Sequence, residues 1–422
     1  MRLRLFACVA AVPLLIVACS SSSSTGSSSS SSSSSSGSSA GASGRTIKIG
    51  LLTSLTGPSA PDYVSTQDGL KARLGVFNAA SKDGTKIEFV TVDDASTPQG
   101  DLAGAKQLIQ QDKVFAVIGL SPYLAGALSY IETTKVPFLT TGDTSASYDN
   151  PANTNLFASY GSAGSKYPVA TTYGKFMQSQ GVTVGGAVAY GTAAASVGAA
   201  TAALESMKAQ GVAAPYLNTA LDFTTTDVSP QVQGMKSAGV NGFYAPLIST
   251  TSFAIVTGLK QAGQSVKVAL LPNGYGGNLL KNNAAVTAAD GAFFQTYGAP
   301  VELQTPATKA FQAALQQYAG VTGDPSKGDY DGWITADLFV RGLQAAGDSA
   351  TQADYITKLR AVTDFNAGGL LHVAVDMTKF GNEAIGTVSN CFYVVQLKGQ
   401  AFVPVPNASP VCGHLTGKNA LP

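Results

Sequence analysis

Apolar residues along this chain fall into short unbroken runs, separated by stretches in which they recur every three or four positions. Thr46–Leu52 is a β-rich run, and Thr56-Gly57-Pro58-Ser59 breaks it. Leu70, Leu74 and Phe77 then fall on one helical face at i, i+4, i+7. Ile87–Val92 is a second strand ending in Asp93-Asp94. Pro98 opens a helix that turns Leu102, Ala105, Leu108 and Ile109 inward. Val114–Leu120 and Val136–Thr140 are continuous apolar strands flanking a helix that runs through Ile131.

A second series begins after about Gly161. The pattern predicts a helix over Tyr167–Gln180, a strand Val184–Tyr190, and a helix carrying Val197, Leu204 and Met207. A strand Asn241–Ala245, a helix Thr251–Ala262 and a strand Val266–Leu271 follow. Buried runs without alternation, separated by amphipathic helices, mean parallel sheets covered on both faces. The fold class is therefore α/β, with two Rossmann-like lobes and a ligand cleft between the carboxyl ends of their strands. Beyond Val405 no periodic structure is predicted.

The N-terminus changes the picture of where the chain works. Arg2 and Arg4 precede an apolar stretch, Leu5–Val17, of signal-peptide length and too short to span a bilayer. Ile16-Val17-Ala18-Cys19 resembles the bacterial lipobox, in which the Cys is diacylated and becomes the first mature residue. Two acyl chains anchor stably where one does not. Residues 20–44 contain only Ser, Gly, Ala and Thr, with no apolar surface to offset chain entropy. They form a flexible tether with a mean reach of about 25–30 Å. Residues 1–19 are thus read as a lipoprotein signal peptide and 20–44 as a disordered tether, with the body outside the cytoplasm.

Composition excludes several functions. Lys plus Arg number 26 and Asp plus Glu 25, leaving no basic field for nucleic acid. Hydrophobic residues make up 45% of the chain and charged ones 12%, as in a globular body with a weakly charged surface. The two histidines, His372 and His414, are too few for a His-based metal cluster and poorly placed for a triad. Gly274-Tyr275-Gly276-Gly277 lacks the dinucleotide-binding spacing and reads as a mobile cleft loop. Asp93-Asp94 has the look of an acid–base pair but reads more simply as a polar strand end. Neither an enzyme nor a cofactor or metal is expected. Once Cys8 leaves and Cys19 is acylated, Cys391 and Cys412 form an even pair in an oxidising compartment, read as a disulfide; free buried thiols are the alternative.

The order of short motifs is more specific than any one of them. Ile47-Lys48-Ile49-Gly50 leads into Leu55-Thr56-Gly57-Pro58, and Asp93-Asp94 precedes a helix. Val117-Ile118-Gly119 precedes a polar turn, and Val136-Pro137-Phe138 leads to Thr140-Thr141. Asp222-Phe223-Thr224, Gln231–Gly239 and Phe243-Tyr244 follow, then Tyr330–Gly347 with Trp333 and Leu343. In this order they resemble the type I periplasmic-binding family, the leucine/isoleucine/valine-binding group, over nearly all of residues 45–400. The resemblance implies two lobes, 45–162 with 296–370 and 163–295 with 371–422, joined by three crossovers. It further implies a monomeric receptor of an ABC uptake transporter, closing on a small molecule and presenting the closed form to a membrane permease. A ligand-sensing lipoprotein of the same fold is the alternative, and an exported hydrolase a more distant one.

The resemblance also nominates a site. Ser121 and the helix start behind it, with Gly142, Asp143 and Thr144, correspond to positions that meet a ligand carboxylate. Simple helix capping is the alternative role for Ser121 and Thr144. Tyr63, Tyr190 and Tyr244 fall where the family places aromatic walls, or are rim and core residues. Asn273 stands where an amino-acid binder would place a carboxylate for the ammonium, and Asp143 where a small neutral residue is usual. Either Asp143 takes over the amine, or the ligand is not an α-amino acid, or Asp143 is a solvated turn residue. A branched-chain amino acid, an amide and a small aromatic or aliphatic carboxylate all remain open as ligand.

Overall fold

The computed structural model describes residues 44–142, 145–347, 349–381 and 388–421. The signal peptide, Cys19, the tether up to residue 43, Asp143 and Thr144 lie outside the described residues. Five strands form the first sheet: β1 Thr46–Thr53, β2 Lys86–Asp93, β3 Val117–Leu120, β4 Phe138–Thr140 and β5 Leu156–Ala158. They are all parallel, in the order β2-β1-β3-β4-β5. β3, β4 and β5 are buried along their whole length, which is why their sequences read as unbroken apolar runs.

Helix starts in this lobe follow from local chemistry. Pro98 occupies the first turn of the helix Pro98–Lys106, and the Thr97 hydroxyl accepts from the Gly100 N–H at 3.0 Å. The late helix Lys327–Ala346 opens on a reciprocal cap between Ser326 and Asp329. It returns to the first lobe and lies against the helix Thr66–Ala80. A Cβ on Gly69 would stand 1.9 Å from the Asp329 carbonyl oxygen, and one on Gly332 2.1 Å from that of Thr66. The two backbones touch because neither position has a side chain. Arg73 Nε pairs with Asp337 Oδ1 at 2.5 Å across this contact.

After a short strand β6 (Pro168–Ala170) the chain builds the second sheet. Its strands are β7 Val184–Tyr190, β8 Ala213–Leu221, β9 Gly242–Tyr244, β10 Val268–Leu271, β11 Phe293–Thr296, β12 Cys391–Lys398 and β13 Ala401–Pro404. They run in the order β13-β12-β11-β10-β9-β7-β8, parallel from β7 to β11, with β12 and β13 antiparallel. Two last strands, β14 Val411–Cys412 and β15 Leu415–Asn419, pair with β12 and β6. Cys391 and Cys412 sit opposite each other in β12 and β14 and are joined by a disulfide.

Four local expectations are corrected. The predicted helix Tyr167–Gln180 begins only at Thr172, because Pro168–Ala170 pairs with the C-terminal strand β15. The tail beyond Val405, expected to be irregular, carries β14 and β15; a partner distant in the chain supplies order that periodicity does not announce. Residues 371–381, assigned above to the second lobe, pack on the first: Gly381 N–H donates to Tyr148 O at 2.7 Å, and Met377 N–H to Val362 O at 2.8 Å. The Gly274–Gly277 loop is packed rather than free. Lys327 N–H donates to Tyr275 O at 3.0 Å, and Gly276, at φ 103°, would place a Cβ 2.0 Å from Pro325 O.

Candidate functional site

A cavity of about 230 Å³ opens where the strand ends of the two sheets and the crossovers between them converge. From the first lobe come Thr141 and Gly142 just past β4, with Tyr160 and Gly161 on the way out of that sheet. The second lobe contributes Pro272 after β10, and Gln295 and Thr296 of β11. Lys327, Tyr330 and Asp331, on the first turns of the late helix, close one side, and Ser389 lies on the last crossover. Ligands in open α/β sheets bind beyond the carboxyl ends of the strands, and this cavity sits there in both lobes.

The walls are largely phenolic: Tyr160, Tyr167, Tyr275, Tyr297 and Tyr330 all face it. The Tyr160 and Tyr297 rings lie 5.7 Å apart, and those of Tyr275 and Tyr330 5.9 Å. Burial pushes the hydroxyls of Tyr160, Tyr167 and Tyr297 above the ordinary phenol range, so they stay neutral and can donate. Lys327 and Asp331, one helical turn apart, form an ion pair inside the cavity wall. Asp331 Oδ1 also accepts from the Tyr160 hydroxyl at 3.0 Å. Burial alone would lower the Lys327 ammonium, but Asp331 and Tyr63 outweigh it and hold the group above the usual lysine range.

A second cavity of about 240 Å³ adjoins the first and shares Tyr275 and Lys327 with it. Asp62, 4% exposed, lines this space and accepts from the Ser249 N–H at 2.8 Å, at the first turn of the second-lobe helix Ser249–Gln261. Its other oxygen has no partner, and burial raises the carboxyl above its ordinary value. Nearby, Phe223 bridges the lobes, its ring 4.8 Å from that of Tyr123 and 4.3 Å from that of Tyr190.

The structure distributes the nominated residues unevenly. Gly142 lines the first cavity. Tyr63 packs its ring under Lys327 Nζ, 5.4 Å away, behind the cavity wall. Ser121 is buried in a network with Asp94 and Ser54, and its hydroxyl accepts from the Tyr123 N–H at 3.1 Å. Tyr190 donates to Thr251 Oγ1 at 2.9 Å, and Tyr244 shares a 3.3 Å hydroxyl contact with Tyr173. Asn273 donates to Leu247 O at 2.8 Å. Asp143 and Thr144 are outside the described residues. Asp93 and Asp94 organise the loop after β1: Asp93 accepts from Leu55 N and Thr56 Oγ1, and Asp94 from Ser54 Oγ and Ser96 N.

Sequence reasoning did not reach Gln295, Lys327, Asp331 or the tyrosines of the crossovers. Three of these left a trace. Gln295 is a buried polar residue directly after two phenylalanines in a short strand, and Lys327 and Asp331 are opposite charges at i, i+4 on a helix that is otherwise buried there. The crossover tyrosines left none, because which aromatic faces a cleft depends on how distant segments meet.

Two lobes of parallel strands, repeatedly crossed by the chain and enclosing a small cavity, define a two-lobed α/β binding protein. The periplasmic binding protein family matches residues 46–401, and the chain belongs to that family. It is a periplasmic-type solute-binding protein, and its relatives are receptors. Among curated proteins, none matches the chain in sequence. Similar solved structures include a leucine-binding protein from Thermotoga maritima, 16% identical over 85% of this chain and 97% of that one, with a TM-score of 0.67. Another is a benzoate-bound ABC-transporter solute-binding protein from R. palustris, 18% identical over 90% and 97%, with a TM-score of 0.69. A third is a branched-chain amino acid transporter substrate-binding protein from Streptococcus pneumoniae, bound to isoleucine, 17% identical over 85% and 98%, with a TM-score of 0.66. At these identities the likeness is one of fold.

Proposed function

We propose that the chain is the lipid-anchored receptor of an ABC uptake transporter, capturing one small organic solute in the first cavity. The observation that carries this reading is the position of the cavity. Its walls come from both lobes and from the crossovers between them, so a change in the angle between lobes changes its shape. A ligand touching both walls has a higher affinity for the closed form and shifts the population toward it. A permease that engages the closed form then discriminates loaded from empty receptor. Cys19 carries the anchor. The first lobe takes in residues up to 162 and the stretch from 296 to 381; the rest of the body forms the second.

Titration calorimetry of the chain from Arg45 onward against amino acids, amides and small carboxylates tests the binding claim. Saturable one-to-one binding with a smaller radius of gyration in solution scattering is expected. A full panel without binding overturns it. For the anchor, Cys19→Ala moves the protein from the membrane fraction to the soluble fraction, and an unchanged distribution overturns lipidation. Co-purification with a permease and ATPase supports uptake, whereas co-purification with a sensor kinase replaces transport by signalling.

A further inference from the structure

Gln295 is a polar residue of the cavity, with both side-chain polar atoms left over by the fold; the Tyr330 hydroxyl also lacks a partner of normal geometry there. It lies on β11 at 3% exposure and lines the first cavity. Neither Nε2 nor Oε1 has a hydrogen-bond partner of normal geometry; the Tyr297 hydroxyl interacts with the carboxamide only loosely. A buried polar group left unmatched is destabilising. An apolar residue at this position of the strand would avoid that penalty. Charge around the carboxamide cancels: Lys327 and Asp331 are the ionised side chains among the described lining residues, and they pair with each other.

We infer that the solute is uncharged and carries a carboxamide or lactam edge, whose N–H donates to Gln295 Oε1 while its C=O accepts from Gln295 Nε2. The inference rests on the first cavity being the ligand site and names the chemistry that site selects. An amide is the complement of an amide, one donor and one acceptor side by side. A carboxylate offers acceptors only, so Oε1 would face another oxygen. It would also bring a net charge into a closed space where Lys327 is already engaged, an unfavourable burial. An ammonium offers donors only and leaves Nε2 unmatched. The facing phenol rings suit a flat or compact apolar body attached to that edge.

The test is calorimetry of the full chain with two amides, benzamide and 2-pyrrolidinone, against benzoate and isoleucine, on the native protein and on Gln295→Met and Gln295→Glu. Met keeps the volume of Gln without its hydrogen bonds, so the unliganded variant is expected to melt at the same temperature or higher. The expected result is that at least one amide binds about tenfold or more tighter than benzoate and isoleucine. Gln295→Met then weakens that amide about tenfold or more, and Gln295→Glu weakens it too. Tighter binding of benzoate or isoleucine, or amide binding indifferent to Gln295→Met, overturns the assignment to Gln295 while the ligand site stands. Failure of both amides while another compound of the wider panel binds overturns the inference alone; failure of the whole panel overturns the site with it.

Discussion

The two sheets share one parallel core and end it differently. β2-β1-β3-β4-β5 and β8-β7-β9-β10-β11 have the same order, each built by the same succession of strand and helix. A last parallel strand presents unpaired backbone groups, a liability that proteins cover or extend. The second lobe extends it: β12 and β13 continue the sheet past β11, and the disulfide ties β12 to β14. In the first lobe the edge is covered. Arg360 reaches over the segment at β5, donating from Nε to Thr154 O at 3.0 Å and from Nη2 to Asn153 O at 2.8 Å. Its guanidinium carbon stands 5.2 Å from the centre of the Phe157 ring, and Nη1 donates to Phe380 O. One lobe closes its edge with backbone and a covalent bond; in the other, among the described residues, the Arg360 side chain reaches across it.

Breaking each closure should separate the two solutions. The largest effect is expected from Cys391→Ser with Cys412→Ser. A bridge closing a loop of 21 residues contributes about 3 kcal/mol through the unfolded chain. Urea denaturation should show a loss of that order, and hydrogen exchange should rise first in β14, β15 and β6. Arg360→Ala comes next, at about 2 kcal/mol, since several charge-assisted bonds to carbonyls are lost together. Arg360→Lys should recover only part of it, because an ammonium cannot span the same carbonyls. Exchange at Leu156–Ala158 should rise in Arg360→Ala and not in the disulfide variant; the same pattern in both would erase the contrast.

The first lobe also holds several acids whose carboxyls are raised by burial. Burial pushes Asp101 up to about 8, with the Asp94 charge adding to it, and Asp329 up to about 7. Both stand on first-lobe helices, and burial likewise raises Glu302 to about 7. Exposed Asp222 of the second lobe, like Asp354 of the first, is instead held below its ordinary value by hydrogen bonds, those on Asp222 coming from Thr224 and Thr225. A carboxyl raised in the native state holds its proton where the unfolded chain has lost it. Stability contributed by these groups therefore falls as pH rises from about 4 to 8 and levels off above. Melting temperature should be higher at pH 5 than at pH 8, and Asp101→Asn should flatten that slope. The smallest effect is expected from Asp62→Ala, about 1 kcal/mol or less, because one bond is lost while an unmatched buried oxygen is removed. Its signature is a larger radius of gyration without ligand, since Asp62 bonds one lobe to the other.

The apolar runs and helical spacings of residues 46–140 and 184–271 determined the α/β class, the lobe count and most strand positions by themselves. A strand buried on both faces has to be continuously apolar, whatever lies beside it. The Gly69–Gly332 contact, by contrast, became meaningful only when two helices distant in sequence met. β6 and β15 exist only as each other's partner, and β8, half exposed with Pro215 within it, carries no apolar run to announce an edge strand. The cavity is the extreme case. Gly142 was nominated by the family resemblance, but Gln295, Lys327, Asp331 and the phenols arrive from separate segments. No local pattern decides which of several polar or aromatic residues ends up facing a space. Tertiary structure decided that, because the space itself is made by the crossing of the chain between lobes.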